Sequence, residues 1–341
     1  MLKVGLIGIG FMGRSHLENY IRLESEEFPL KLVAICDIDP AKFENKFIPG
    51  NIKVGEKKFD FSKYNLYTRI DEMLEKEKLD FVDIALPTYL HSEVSVKFLN
   101  AGIHVLCEKP MALTLEQCQA MIEAAERNNK KLMIGHCLRF WPAYEYAKEK
   151  IDTKRFGEVI ESYFFRGGNT PKWSYQNWLL QKDKSGGVLL DQHIHDVDVI
   201  NWFFGTPHAV STISTNILPA SGYDVVSTRY FFNDKKIIIA EDDWLLNGDF
   251  PFEMRYRINF EEGNIIYERR ELKVTPNVGK PFVPEISNEN AYYREIKYFA
   301  NAVLNDLPIE VCPPNSSMET IRIALAEMKS ADNNGKIVNL K

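Results

Sequence analysis

Lys3-Val4-Gly5-Leu6-Ile7-Gly8-Ile9-Gly10-Phe11-Met12-Gly13 is the stretch that decides the fold. Lys3–Ile7 reads as a buried strand and Met12–Leu23 as the helix after it, with Gly8, Gly10 and Gly13 between them in the pattern G-x-G-x-x-G. Each glycine has a physical task at this spacing. Gly8 permits the tight turn, Gly10 lets the backbone approach a pyrophosphate, and Gly13 lets the helix pack closely on the strand. Phe11 and Met12 stand where the loop passes into the helix, whose N-terminus supplies unbonded N–H groups and a positive dipole end. The bare hexamer is also compatible with an ordinary strand-turn-helix that binds nothing.

Asp37 sharpens the reading. It ends the second apolar strand, Leu30–Cys36, 24 positions beyond Gly13, where a carboxylate accepts hydrogen bonds from ribose hydroxyls and repels a 2′-phosphate. The next residues, Ile38-Asp39-Pro40, offer no Arg or Lys to neutralise such a phosphate, so NAD is expected over NADP. A simple strand-end cap is the bland alternative for Asp37.

Beyond residue 65 the alternation continues. Ile70–Glu77, Ser92–Ala101 and Leu115–Asn128 read as helices, and Phe81–Leu86, His104–Cys107 and Lys131–Gly135 as strands. Residues 47–65 read as a polar, Lys-rich insertion with Pro49-Gly50 as its turn signal. Alternating strands and helices are what a parallel sheet with crossover helices requires. From about residue 137 β-type segments follow one another: Gly157–Arg166, His208–Ile217, Val225–Phe232, Lys236–Leu246, Phe252–Glu261 and Asn264–Val274. One helix, Leu190–Phe204, interrupts them, and two more, Glu289–Leu304 and Ser317–Asp332, close the chain. The expected architecture is α/β: an N-terminal dinucleotide-binding Rossmann domain with a parallel sheet over 1–136, then a C-terminal α+β domain over 137–341 with a large, mostly antiparallel sheet.

Composition narrows the function classes. The 341 residues are 45% hydrophobic and 26% charged with a formal charge of -6, which argues against disorder and against a nucleic-acid binder with a basic stripe. The longest apolar stretch, Val4–Gly13, is about half of the roughly 20 residues a membrane-spanning helix needs. Its four glycines, and the lack of a small-residue cleavage site after it, also argue against a secretory leader. Five scattered cysteines without a C-x-x-C pair disfavour disulfides and structural zinc and suit a reducing cytoplasm.

Two further constellations carry chemistry. Glu108-Lys109-Pro110 follows the strand His104–Cys107 directly, at the kind of strand end that opens on a ligand crevice. A lysine there can have its pKa lowered by burial and move protons, and Pro110 is a candidate cis residue. Composition alone reads Lys109 as a surface loop lysine. The second constellation is Gly186-Gly187-Val188-Leu189-Leu190-Asp191-Gln192-His193-Ile194-His195-Asp196-Val197-Asp198. On a helix Asp191, His195 and Asp198 share one face, and a histidine beside a carboxylate is a reasonable general base. If the segment were a strand, His193 and His195 would share a face and suit a metal; the apolar run behind them favours a helix, and no metal is expected.

Taken together these motifs resemble the Gfo/Idh/MocA family of glucose-fructose and inositol dehydrogenase-like oxidoreductases. The resemblance runs from the N-terminal fingerprint through Ala85-Leu86-Pro87-Thr88 with His91, Ala101–Pro110, Leu138-Arg139-Phe140 and Gly186-Gly187…Asp191…His195 to a tail helix over Tyr292–Ala300. It implies catalytic roles for Lys109, Asp191 and His195. It places Pro87, Thr88, His91, Glu108 and Lys109 near NAD beside the glycine loop, and the open face of the second sheet in a homodimer or homotetramer. It implies a sugar or cyclitol substrate, contacted by Lys109, Arg139, Trp178, Asp191 and His195, and neither a nucleic-acid nor a membrane partner. Relatives also include NAD-assisted glycoside hydrolases and a non-catalytic NAD-binding regulator. Many members carry Gly or another small residue where this chain has His193, whose bulk is expected to alter the pocket wall.

Overall fold

The computed structural model describes residues 1–45 and 58–340. Two compact units emerge: Met1–Cys137 with Asn290–Met318, and Leu138–Glu289 with Glu319–Lys341. The first holds β1 (Leu2–Ile7), α1 (Phe11–Ser25), β2 (Leu30–Cys36), β3 (Asn65–Tyr67), α2 (Ile70–Lys76), β4 (Phe81–Ile84), α3 (His91–Asn100), β5 (His104–Glu108), α4 (Leu115–Arg127) and β6 (Leu132–Gly135). Its strands are all parallel in the order β3-β2-β1-β4-β5-β6, the doubly wound order whose switch point lies between β1 and β4. Strands this deeply buried read as continuous apolar runs, and β4 and β6 have no exposed residue. The glycine loop is as tight as the fingerprint demands. A Cβ on Gly13 would stand 1.9 Å from the Gly8 carbonyl oxygen, and Gly8 itself has φ +89°.

Asn65–Tyr67, where the sequence reading ends its insertion at residue 65 and assigns no element before Ile70, is the edge strand, paired in parallel with Ala34–Cys36. Three residues are too few to show a period. The Pro49-Gly50 turn signal lies outside the described residues.

The second unit begins with α5 (Pro142–Asp152), a helix absent from the sequence reading, and continues with β7 (Val159–Gly167), α6 (Lys182–Ser185), α7 (Gly187–Asp191) and α8 (Ile194–Phe204). The strands β8 (Ala209–Thr215), β9 (Val225–Phe231), β10 (Ile237–Asp243), β11 (Glu253–Phe260), β12 (Gly263–Glu268) and β13 (Glu271–Pro276) follow. With β14 (Val338–Asn339) they form one sheet in the order β13-β12-β11-β7-β10-β9-β8-β14, antiparallel except where β10 runs parallel to β7. The expected single strand Asn264–Val274 is therefore a hairpin. Arg269 (φ 51°) and Arg270 (φ 66°) make its two-residue turn, and Glu268 pairs with Glu271. Arginine carries none of the Asn/Gly signal such turns usually display. The expected single helix Leu190–Phe204 is likewise two, α7 and α8, joined through Gln192 and His193.

Two long helices remain, α9 (Ala291–Leu304) and α10 (Pro314–Ala331). α9 packs on α1 within the first unit, and the division between the units falls inside α10. Read in chain order, the sequence leaves both helices with 137–341.

Two buried charges of the second unit form a close pair. Arg139, 2% exposed, donates from Nε and Nη2 to the two oxygens of Asp198 at 2.9 and 2.7 Å, and Thr320 Oγ1 donates to Asp198 at 2.9 Å. Removing one partner leaves the other charge buried and uncompensated. Arg139→Met is expected to lower the unfolding free energy of this unit by about 3–5 kcal/mol in urea titrations, and Asp198→Leu added to it to recover most of the loss.

Candidate active site

Four side chains or loops meet the carboxyl ends of the central parallel strands, where ligands bind in doubly wound sheets. After β1, Gly8 is buried against the Ala85 carbonyl, while a Cβ on Gly10 would meet nothing within 4 Å, so that glycine opens onto free space. Phe11 and Met12, in the first turn of α1, are partly exposed. This is the cradle a pyrophosphate needs: an open backbone beside a helix N-terminus. After β2, Asp37 is buried; its Oδ2 accepts from Ile9 N at 2.8 Å and from Lys42 Nζ at 3.0 Å, and its Oδ1 from Asp39 N at 2.9 Å. The carboxylate thus ties the glycine loop to the turn after β2. Lys42 adds a cation beside Asp37 that the reading of Ile38-Asp39-Pro40 did not reach. It lies five residues on, one turn of the 3-10 segment Pro40–Glu44, which brings it back to the strand end.

After β4, Pro87 is partly exposed and Thr88 buried. His91, at the start of α3, is 1% exposed; its Nδ1 lies 2.7 Å from the Pro110 carbonyl and its Nε2 2.8 Å from the Leu86 carbonyl. It therefore bridges the loops after β4 and β5 from behind. After β5 comes Lys109, partly exposed, with a cis bond to Pro110.

Glu108 fixes that corner. Its Oε2 accepts from Lys109 N at 3.0 Å, and its Oε1 lies 3.1 Å from His16 Nε2, while His16 Nδ1 lies 2.8 Å from Asp83 Oδ2, which also accepts from Tyr20. Burial opposes a charged His16, but Asp83 and Glu108 outweigh it and hold the imidazolium well above its ordinary pKa. Burial also opposes ionised Glu108, and His16 and Lys109 pull it below the usual range. Glu295 of α9 is fully buried beside them with neither oxygen hydrogen-bonded, and burial with the Glu108 and Asp83 charges pushes its carboxyl far up. His16, Glu108 and Glu295 bring ligand-type atoms within 4.8 Å of one another. Yet His16 faces a carboxylate with each ring nitrogen, and an imidazolium donating from both has no lone pair for a metal. Sequence reasoning named Glu108 but missed His16, Asp83 and Glu295. A charged residue inside an apolar strand (Asp83) and one on an inward helix face (His16) were the available signals.

In the second unit, Asp191 and His195 are partly exposed, whereas every other residue from Gln192 to Ile200 is buried. Trp178, on the Tyr175–Leu180 turn, is half-buried. Arg139 has its guanidinium inside the Asp198 pair, and Asp198, read as sharing a face with Asp191 and His195, is fully committed there and to Thr320. His193 does not line a wall. It is fully buried, its Nδ1 2.7 Å from Asp242 Oδ2 of β10 and its Nε2 3.1 Å from Tyr230 Oη of β9. The segment is helical, so the strand geometry that a His193/His195 metal pair needs is not present.

Known proteins share this plan. Residues 2–136 match the model of an oxidoreductase family with an NAD-binding Rossmann fold, and residues 144–266 match the GFO/IDH/MocA C-terminal domain. The chain is 29% identical over 218 residues to a 2,7-anhydro-N-acetylneuraminate hydratase of Escherichia coli, covering 64% of this chain and 54% of that protein. It is 26% identical to an inositol 2-dehydrogenase of Rhizobium meliloti over 96% of both. Matches to other curated relatives likewise span between 52% and 62% of their lengths. A levoglucosan dehydrogenase solved with NADH and levoglucosan superposes with TM-score 0.84 over 99% of each chain at 22% identity. No helix among the described residues is long and apolar enough to cross a membrane.

The Glu295 environment sets a pH dependence. A carboxyl whose folded pKa is raised favours folding in its protonated form, so its cost to stability grows as pH rises from its unfolded value near 4.5 toward the folded one. Glu295→Gln, neutral and isosteric, is expected to raise the melting temperature more at pH 8 than at pH 5 in scanning calorimetry. An equal shift at both would mean that Glu295 is ionised in the native state.

Proposed function

Because the chain belongs to the Gfo/Idh/MocA oxidoreductase family, with its NAD-binding Rossmann domain, we propose that it oxidises a secondary alcohol of a sugar or cyclitol, or runs the reverse reduction. NAD, when bound, supplies the hydride acceptor. Gly8, Gly10, Phe11, Met12 and Gly13 hold its pyrophosphate, Asp37 its ribose, and Pro87, Thr88 and Glu108 the walls of its site. His195 takes the hydroxyl proton and Asp191 orients His195; Lys109 is, by the family resemblance, the other proton-transfer group. The observation that carries this reading is the exposure pattern of the second unit's helical segment. An interior helix leaves open an acid and a histidine four residues apart, the pair a general base needs.

On this reading Arg139 supports the pocket through Asp198, and Trp178 offers a ring to a sugar's C–H face. The relatives' names, which cover inositol, levoglucosan and an anhydro-neuraminate, argue for a polyol ring with several hydroxyls. The hydratase among them favours a second reading, in which oxidation is transient and no NADH accumulates.

The eight-stranded sheet is the proposed contact between copies of the chain. Ile213, Ser227, Glu241, Phe165 and Arg255 fall in one register row and so on one face, none of them buried. Light scattering is expected to give a dimer or tetramer; a monomer at working concentrations would reject that contact.

NADH absorbance with NAD and then NADP, over cyclitols, aldoses, anhydro-sugars and nucleotide sugars, tests the chemistry. Lys109→Ala and His195→Ala should each cut turnover about 10²–10⁴-fold while NADH fluorescence titrations stay unchanged. Near-normal turnover in both would sink the assignment. A flat panel with consumption of an anhydro-sugar would select the second reading.

A further inference from the structure

We propose that His193 is a positioning residue: its buried anchor to Asp242 sets the wide turn between α7 and α8, and that turn fixes how Asp191 and His195 are presented. In a regular helix the amides of Gln192 and His193 would bond successive carbonyls. Here both end on the carbonyl of Val188, Gln192 N at 3.0 Å and His193 N at 2.8 Å, so His193 closes an i→i−5 loop. Regular i→i−4 bonding is back at Val197 N, which reaches the His193 carbonyl at 3.0 Å. Wide turns of this kind give up hydrogen-bond regularity and persist where something holds them.

The ring of His193 supplies the hold. It is fully buried and gripped from three elements: Asp242 Oδ2 on β10 at 2.7 Å, Tyr230 Oη on β9 at 3.1 Å, and Glu327 Oε2 on α10 at 3.5 Å. One turn on, Asp196 is clamped by Arg166 of β7 through contacts of 3.1 and 3.0 Å. The turn is thus drawn toward the sheet at His193 and Asp196. Asp191 and His195, which alone between 191 and 200 keep exposure, are left on the other side. Residues four apart on a regular helix lie nearly above one another; the wide turn inserts an offset between this acid and this histidine. A small residue at 193 has no ring to reach Asp242.

The kinetic arm of the test rests on the proposed roles of Asp191 and His195, and the structural arm does not. His193→Leu combined with Asp242→Asn fills the space and removes the Asp242 charge together with its partner. We expect it to lower kcat on the substrate found in the panel about tenfold to a hundredfold, as a small misplacement does, with KM for NAD unchanged. Its crystal structure should show the amides of 192 and 193 on separate carbonyls. His193→Asn, whose amide can still face Asp242, should keep both the wide turn and most of the turnover. Wild-type kcat and an intact wide turn in the double variant would overturn the proposal. So would a folded His193→Asn protein that loses the turn; that variant decides the matter if the double one does not fold. If the wild type oxidises nothing in the panel, the functional reading fails, and the crystal structures still test the anchor.

Discussion

Three buried carboxylates that are each met by a donor organise the second unit. Arg139 holds Asp198, Arg166 holds Asp196, and His193 holds Asp242. Each pair costs desolvation that only good geometry repays. With those side chains turned inward, Asp191 at the end of α7 and His195 on α8 keep the exposure that their neighbours lose.

The first unit solves a related problem with backbone rather than charge. The switch point between β1 and β4 leaves a crevice, and the glycine loop fills its floor so tightly that side chains at Gly8 and Gly13 would collide with main chain. Asp37 and Glu108, at the ends of β2 and β5, each bond a loop amide, Ile9 N in one case and Lys109 N in the other. The acids that look like ligand groups are therefore also structural ties, which explains how loops around an open crevice hold one shape.

Much of this was legible in the sequence. G-x-G-x-x-G after a β-branched strand, and Asp37 at the next strand's end, carry the first unit because backbone approach and ribose recognition tolerate few residue types. The change from alternating strand and helix to consecutive strands carried the second sheet. What stayed hidden depends on contacts between distant positions. The Arg269-Arg270 turn uses residues without turn preference, so the hairpin was merged into one strand. Lys42 returns to Asp37 through a 3-10 turn that periodicity does not register. His193 read as altering the pocket wall because many family members carry a small residue there; its partner Asp242, far along the chain, turns it inward.

His91 has one more consequence. It stands between two main-chain carbonyls, Leu86 on one side and Pro110 on the other, and burial lowers its pKa. The loop bearing Pro87 and the loop bearing Lys109 therefore hang on one buried ring, and losing that ring unties both at once.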